Sequence, residues 1–437
     1  MLRFFTVVAI LMILFCATSN AQLLKSQWEF VKYFPNESFA GYLGCHGIAV
    51  DPEGKVWIHV YNPSDSIVDA TSGKKRATRV VYVFNPDGTP APFSPIKTVT
   101  IGGKTDTLYN SSRGMRADHE GNILVSVFDV VYRINYKTGQ GMAKAQPQPN
   151  ATLTAVAVSA VGDVYCGKVL PGNPIQILDK DFNLLGNVVD TSRGYSRTLE
   201  VSKDGNTVYW APYTLNAIYV YKRASEFEPF GVVPDTILKG FACESMAWNK
   251  KTGYLWASAG SPLTPANMFP GVKTYWRTNG WYAYNPATGQ VVDSLLWYQK
   301  TPGVEMRPRA IDFSVGGDTV YVGCFNGTDP SVEMFVRKPV KVEERNPVVA
   351  EGYALSQNYP NPFNPVTEIR FSIGKAGLTT VKVYNVLGAE VATLVNENLL
   401  AGEHKVMFDA ARLPSGTYIY ELRSNGVRLA KKMTVMK

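Results

Sequence analysis

Short segments in which apolar and polar residues alternate recur through the middle of the chain. In six of them, a polar turn that usually carries glycine separates two alternating runs. Alternation with a period of two predicts strands, and Asp-Gly, Glu-Gly or Thr-Gly between two such runs predicts a hairpin. The six hairpins are GIAVDPEGKVWI (47–58), GMRADHEGNILV (114–125), AVAVSAVGDVYCG (155–167), TLEVSKDGNTVYW (198–210), SMAWNKKTGYLWAS (245–258) and AIDFSVGGDTVYVG (310–323).

Most of these hairpins are followed by a third alternating run, and some by a weaker fourth. They recur every 40 to 65 residues or so, the spacing of a four-stranded propeller blade. We therefore predict a six-bladed β-propeller over residues 22–338. The last repeat supplies only three strands, so WEFVKYF (28–34), which precedes the first repeat, can complete its sheet and close the ring. A seventh blade would require a divergent copy between Ala259 and Pro308.

Two of the repeat motifs resemble known propeller families. GIAVDPEGKVWI and VSKDGNTVYW are similar to the repeats of the NHL, SMP-30 and YVTN-type propellers. This resemblance implies a fold and not an activity, because one propeller fold serves many functions. The SMP-30-like hydrolases hold a metal at the central channel through carboxylates and amides. Arginines stand at that level here, which argues against a divalent metal.

One position of the repeat lies just before each innermost strand, at the expected mouth of the central channel. It holds His46, Arg113, Thr154, Arg197, Glu244 and Arg309. Three arginines at one mouth can hold a carboxylate or phosphate through bidentate hydrogen bonds. A long loop on the same face adds Trp276 and Trp281, whose rings suit stacking on a sugar or another flat ligand. The candidate ligand-binding residues are therefore His46, Arg113, Arg197, Glu244, Arg309, Trp276 and Trp281.

These residues also have a purely structural interpretation, which the sequence leaves open. An arginine can satisfy carbonyls of neighbouring blades, and a tryptophan can pack between blades. We carry three hypotheses: a binding protein for a small anionic or carbohydrate ligand, a hydrolase or lactonase-like enzyme, and a docking domain for proteins. We favour binding over catalysis because only His46 and Glu244 offer acid–base chemistry at the ring. We assign no catalytic residue and expect no metal and no cofactor.

The N-terminal segment predicts export. Arg3, the apolar run 4–15 and Ser19-Asn20-Ala21 fit a signal peptide over residues 1–21. No later segment is long and apolar enough to span a bilayer. The formal net charge of +8 is spread along the chain without a basic patch, so we expect no nucleic-acid partner. We also expect the protein to be a monomer.

The mature chain keeps four cysteines. Export permits disulfides, but the spacing matches neither a CxxC metal pattern nor a dense disulfide scaffold. We expect mostly buried free thiols at Cys45, Cys166, Cys243 and Cys324, although the sequence leaves their disulfide state open.

The composition changes after the propeller repeats. Residues 339–352 are charged, contain proline and show no periodicity, which predicts a linker. About seven short strands separated by glycine-bearing turns follow in 353–437, the strand count of an immunoglobulin-like β-sandwich. Within YPNPFNP (359–365), we expect Tyr359 and Phe363 to lie on one side and cover the end of the sandwich.

This last segment closely resembles a known family. ALSQNYPNPFNPVTEIRFSI, VKVYNVLGAEVATLVNENLLAGEHKVMFDA and LPSGTYIYELRSNGVRLAKKMTVMK are similar to the type A C-terminal sorting domain of type IX secretion cargo. The resemblance implies a Gram-negative bacterium, export through the periplasm and recognition of residues 353–437 by the outer-membrane secretion machinery. It also implies removal of the module by a sortase-like peptidase, with the cargo released or fixed to the cell surface. It does not say what the propeller does.

Overall fold

The computed structural model describes residues 26–39, 43–68, 72–260, 276, 278–298, 307–325, 329–338 and 352–437. The chain divides into two compact units, Met1–Pro339 and Val340–Lys437. The predicted export signal and all of the predicted linker except Gly352 lie outside the described residues. In the described ranges, no helix is long and apolar enough to cross a membrane.

The first unit contains six antiparallel sheets that follow one another along the chain. Blade 1 consists of the strands Cys45–Val50, Val56–Val60 and Val81–Phe84. Blade 2 consists of Ser112–Ala117, Ile123–Val127, Val130–Ile134 and Gly141–Ala145. Blade 3 consists of Ala157–Val158, Val164–Cys166, Ile175–Leu178 and Leu184–Val189. Blade 4 consists of Ser196–Val201, Thr207–Pro212, Ile218–Lys222 and Asp235–Ile237. Blade 5 consists of Met246–Asn249, Tyr254–Ser258, Gly280–Asn285 and Gln290–Leu296. Blade 6 consists of Arg307–Phe313, Thr319–Phe325, Val332–Arg337 and the N-terminal strand Trp28–Tyr33.

Smaller elements lie between these strands. The hairpins Asp65–Val68/Lys75–Thr78 and Thr98–Ile101/Lys104–Thr107 extend from blade 1, and a 3-10 helix, Tyr213–Leu215, follows the second strand of blade 4. The predicted six-bladed propeller is confirmed. The six sheets are the blades found in the described residues, and parts of the interval proposed for a seventh, 261–275 and 299–306, lie outside them.

The ring closes as predicted, through the N-terminal strand. Trp28 pairs with Arg337 and Tyr33 with Glu333, so the strand forms the outer edge of blade 6. The Trp28 ring packs edge-on against Trp256 of blade 5 at 5.7 Å, and its Nε1–H donates to Asp293 Oδ2 at 3.0 Å. One residue of the closing strand therefore connects blades 5 and 6.

The hydrophobic core is divided among the six gaps between neighbouring blades. Each gap has its own cluster, and successive residues of an inner strand face opposite gaps. Met246 packs towards blade 4, for example, whereas Ala247 packs towards blade 6. Because both faces of each blade are covered, inner strands such as Val56–Val60 are buried along their whole length. Polar side chains on these strands are therefore buried as well.

The second unit is a sandwich of two sheets. One sheet consists of Ala354–Leu355, Val366–Ile373 and Gly402–Asp409. The other consists of Gly377–Tyr384, Glu390–Leu399, Gly416–Ser424 and Val427–Val435. The predicted count of about seven strands is confirmed. Phe363 is 2% exposed in the core of this unit, but Tyr359 is 82% exposed. The expectation that both rings cover the sandwich is therefore wrong for Tyr359, whose backbone pairs with Glu368 while its side chain points outward.

The cysteine prediction is confirmed. Cys45, Cys166, Cys243 and Cys324 are all buried thiols without a disulfide.

Candidate functional site at the upper mouth of the channel

The first strand of each blade lines the central channel. We call the end of the channel at which these strands begin the upper mouth, and the opposite end the lower mouth. Four of the six predicted ring residues lie inside their strands rather than just before them, because the strands Cys45–Val50, Ser112–Ala117, Ser196–Val201 and Arg307–Phe313 begin earlier than expected.

The same irregularity of pairing occurs at each of these four residues. In blade 1, Cys45 pairs with Val60 and Gly47 with His59, so His46 is the extra residue of a β-bulge. Arg113 is skipped in the same way between Ser112 and Gly114, as is Arg309 between Pro308 and Ala310, and in blade 4 the irregularity spans Arg197 and Thr198. A bulge redirects a side chain out of the regular alternation. A shared backbone feature thus positions the ring side chains at the upper mouth.

The three arginines come from blades 2, 4 and 6, and two of them share one carboxylate. Arg197 Nε lies 2.7 Å from Glu244 Oε2, and Arg309 forms an ion pair with the same oxygen. The side chains of Arg309 and Glu244 are each 6% exposed. Glu244, contributed by blade 5, therefore connects the arginines of the two blades that flank it.

Arg113 has a different partner. Its Nη1 lies 3.2 Å from His46 Nδ1, and that nitrogen also lies 3.2 Å from the carbonyl oxygen of Ser112. Burial, and then the positive charges of Arg309, Arg113 and Arg197, hold the pKa of His46 well below its usual value. His46 is therefore neutral at physiological pH, and no acidic group stands in its place to balance the charge of Arg113.

The ring carries more positive than negative charge in a buried place. Burial lowers the pKa of both Arg113 and Arg309, and repulsion from Arg197 lowers it further. Within the described part of the chain, Arg113 Nε, Arg309 Nε and His46 Nε2 are buried without a hydrogen-bond partner. A bound anion would supply both the missing charge and the missing acceptors.

Three aromatic residues that sequence reasoning missed surround this cluster. The His46 ring lies 4.5 Å from Tyr61 and 5.2 Å from Phe325, and the Arg197 guanidinium lies 5.1 Å from the centre of the Tyr213 ring. Each of these aromatics stands at or just after the end of the second strand of its blade, which runs back to the upper mouth. A search for residues at that position of the repeat would have found them.

The two predicted stacking residues differ in their surroundings. Trp281 is fully buried, and its Nε1–H donates to Ser245 Oγ at 3.2 Å. Its ring has no exposed face to offer a ligand, so we leave it out of the proposed site. Trp276 packs against Phe241 and Tyr282, each at 5.1 Å, and its Nε1–H donates to the carbonyl of Lys239. Residues 261–275, which precede Trp276 in the same loop, lie outside the described residues.

The channel is nearly closed below the ring. The first strands approach one another through small residues: a Cβ added to Gly114 would lie 2.4 Å from Ala155 Cβ. The remaining cavity has a volume of about 10 Å³, room for a single water molecule at most. Thr154, the sixth ring residue, is fully buried and within hydrogen-bond distance of the carbonyl of Gly167. The ring is thus the floor of the upper mouth.

A metal-binding cluster is not found in the described ranges, where no group of three or more His, Cys, Asp or Glu side chains is arranged to hold an ion.

Comparison with known proteins concerns mainly the second unit. Residues 357–436 match the family model described as the secretion system C-terminal sorting domain. None of the curated proteins compared with the chain matches it.

Solved structures resemble the chain at low sequence identity. A luciferin-regenerating enzyme is 10% identical, with 69% of this chain and 92% of that chain covered and a TM-score of 0.44. A candidate gluconolactonase is 12% identical, with 71% and 92% covered and a TM-score of 0.46. PorZ of Porphyromonas gingivalis, a surface component of the type IX secretion system, is 12% identical, with 89% and 51% covered and a TM-score of 0.35. These similarities say nothing of what the propeller binds.

The family match covers six of the seven strands described for the second unit, all but Ala354–Leu355, and identifies this unit as the sorting domain. The chain is a six-bladed β-propeller that carries a C-terminal sorting domain of the type IX secretion system, and it is exported to be secreted or attached at the outer cell surface.

Proposed function

We propose that the propeller is a binding protein that takes up a small acidic ligand at the upper mouth of its channel. The observation that carries this proposal is the charge of the ring: it contains three arginines but one carboxylate, and Arg113 faces a neutral histidine instead of an acid. A carboxylate or phosphate of the ligand would bond Arg113, while Tyr61 and Tyr213 at the rim would contact its body.

Arg113 is the best residue for testing the proposal. Replacing Arg197 or Arg309 would leave Glu244 buried with one ion pair fewer, and a buried charge that loses its partner destabilises the fold. Arg113 has no carboxylate partner in the described residues. Arg113→Met therefore keeps most of the side-chain volume and removes charge without stranding an acid.

The measurement is isothermal titration calorimetry of the full chain with D-glucuronate and with inorganic phosphate. We expect Arg113→Met to weaken binding by about 10- to 100-fold, the loss associated with charge-assisted hydrogen bonds. Arg412→Met, which removes an exposed arginine of the other unit, is the matched control and should bind like the wild type. Neutral D-glucose should bind far more weakly than glucuronate. Equal binding by wild type and Arg113→Met, or binding of neither anion by the wild type, would favour a structural ring.

The alternative activity, hydrolysis of a lactone or similar ester, depends on Glu244 or His46. Glu244 is held by two arginines, and burial and three nearby arginines favour the neutral form of His46. Both features oppose proton transfer, so we rank this activity second. Turnover of a lactone by the wild type that is lost in Glu244→Gln would reverse the order.

We further infer that the sorting domain is removed after export by a sortase-like peptidase. Mass spectrometry of the culture medium tests this directly. Propeller peptides without the peptide that ends at Lys437 are expected. Secreted protein that uniformly retains this C-terminal peptide would show that the domain stays attached.

A further inference from the structure

A second cavity lies at the lower mouth of the channel, where the first strands end. It has a volume of about 400 Å³ and is lined by residues of all six blades. This size falls within the range of small-molecule sites in proteins. The nearly closed segment below the arginine ring separates it from the upper mouth.

Charged residues occupy one repeat position of this cavity in alternate blades. Blades 1, 3 and 5 have alanine there, at Ala49, Ala157 and Ala247, whereas blades 2, 4 and 6 have Arg116, Glu200 and Asp312. Arg116, Glu200 and Asp312 all line the cavity. Arg116 Nε lies 2.6 Å from Glu200 Oε1 across the channel, and Arg116 also donates to the carbonyls of Met115 and Met246.

Glu200 is incompletely partnered although it is 3% exposed. Its Oε1 accepts from Arg116, and no hydrogen bond to Oε2 is found in the described residues. The two oxygens of Asp312 accept the backbone N–H groups of Val50 and Phe313, each at 2.9 Å. Glu200 lines the cavity, so its Oε2 can accept a hydrogen bond from a molecule bound there.

The charges that line the cavity are predominantly negative. Both oxygens of Asp51 accept hydrogen bonds, from backbone N–H groups of its turn and from Trp57 Nε1–H. Asp118 accepts from backbone N–H groups of its turn and forms an ion pair with Arg133. Among the lining residues, Glu200 and Asp312 face Arg116 and Lys250, and the rim residue Glu120 lies 3.8 Å from His119 Nε2. The walls also provide the rings of Trp248 and Phe313, and Trp248 Nε1 is buried without a partner. The cavity thus combines an excess of carboxylate with aromatic surface.

We propose that the lower mouth is a second ligand site, which binds a small organic cation with an apolar body. An ammonium or guanidinium group would donate to the free oxygen of Glu200 and approach Asp312, and the body would pack on Trp248 and Phe313. A cation over an aromatic face is favourable in addition to the ion pair. The two mouths would then select ligands of opposite charge.

The titration of Glu200 supports the proposal. Burial raises the pKa of Glu200 to about 7. Repulsion from Asp312 acts in the same direction, and the attraction of Arg116 acts against it. A bound cation would stabilise the ionised form, so binding should weaken as pH falls through about 7 and Glu200 takes up a proton. The other titratable and charged groups facing the cavity are Asp51, Arg116, Asp118, His119, Glu120, Lys250 and Asp312.

Calorimetry of the full chain with benzylamine at pH 8 tests the site, since this probe joins an ammonium group to a flat ring. We expect saturable binding that is at least tenfold stronger than that of neutral benzyl alcohol, and at least tenfold weaker in Glu200→Gln. Arg412→Met, in the other unit, is the matched control and should bind benzylamine like the wild type. Benzylamine carries no acidic group, so the outcome is independent of the anion site.

A second variant keeps the test informative if Glu200→Gln fails to fold. Lys250 is exposed at the rim, and replacing it removes a competing positive charge. Lys250→Gln should strengthen benzylamine binding by about two- to fivefold, the effect of one nearby partly screened charge. Equal binding of benzylamine and benzyl alcohol, no response to either variant, or displacement of benzylamine by calcium at equal concentration would overturn the proposal; displacement would show a metal-ion site.

Discussion

At the scale of single residues, the notable feature is how many polar side chains the propeller buries. His46, His59, Glu200, Glu244 and Arg309 are each less than 9% exposed. This follows from blades that are covered on both faces, so that a polar residue on an inner strand has no solvent side. Some of these residues meet at the two channel mouths, where their charges give the propeller its candidate chemistry. Others, such as His59, affect stability alone.

His59 should make the stability of the propeller depend on pH. Burial lowers its pKa to about 4, against about 6.5 in the unfolded chain. Below pH 6.5 the unfolded chain therefore binds a proton that the folded chain does not, and the free energy of unfolding falls as pH falls. Between pH 7 and pH 5, His59 should account for a loss of about 2 kcal/mol.

Urea unfolding of wild type and His59→Asn at both pH values measures this effect. All eight tryptophans lie in the first unit, so their fluorescence reports the propeller alone. The stability advantage of the wild type over the variant should shrink by that amount at pH 5. An advantage that stays constant with pH would show that His59 does not titrate as its burial implies.

At the scale of elements, the closing strand determines whether the last blade is complete. Trp28–Tyr33 supplies the outer strand of blade 6 from the opposite end of the chain, and Trp28 also contacts blade 5. The β-bulges are the second important element. They recur in blades 1, 2, 4 and 6 and aim His46 and the three arginines at one point.

Trp28→Ala should lower the free energy of unfolding of the propeller by about 3–5 kcal/mol. The substitution empties a buried aromatic site and leaves Asp293 without its indole donor. Val31→Ala, on the same strand at a position that is 46% exposed, should change stability by about 0.5 kcal/mol or less. Urea unfolding compares the two variants. Similar losses would mean that pairing of the strand, and not the anchoring of Trp28, closes the ring.

At the scale of the whole molecule, the two units serve different purposes. The sorting domain takes the chain out of the cell, and the propeller provides the two channel mouths where we propose that ligands bind. Each unit has its own hydrophobic core among the described residues. Transport and binding can therefore be separated by experiment.

Deletion of residues 352–437 should prevent secretion and leave the propeller folded. Immunoblots of the cell-envelope and medium fractions should show the shortened protein retained by the cells and the full-length protein outside or on the surface. Unchanged tryptophan fluorescence of the purified shortened protein would exclude misfolding as the reason. Appearance of the shortened protein in the medium at full-length levels would contradict a role of residues 352–437 in sorting.

Much of the fold was predictable because its signals are local. Alternating apolar residues and a glycine turn indicate each hairpin. The last repeat lacks a fourth strand, which indicated that Trp28–Tyr33 completes its sheet. The candidate site was predictable only as a set of positions. That Arg197 and Arg309 share Glu244 while Arg113 faces His46 depends on distances across the ring, which no local pattern contains. The placement of Trp281 in the core depends equally on which blade face it lies on.

The amino-acid pattern alone was sufficient for the propeller fold, the closing strand and the sorting domain, because strand periodicity and short motifs encode each of them within a few dozen residues. It left a seventh blade and the disulfide state of the cysteines open. The charge balance of the two mouths depended on the closed ring. Residues nearly 200 positions apart, such as Arg113 and Arg309, act on one another only when six blades bring their first strands around a common axis. Burial there removes the water that would otherwise screen their charges.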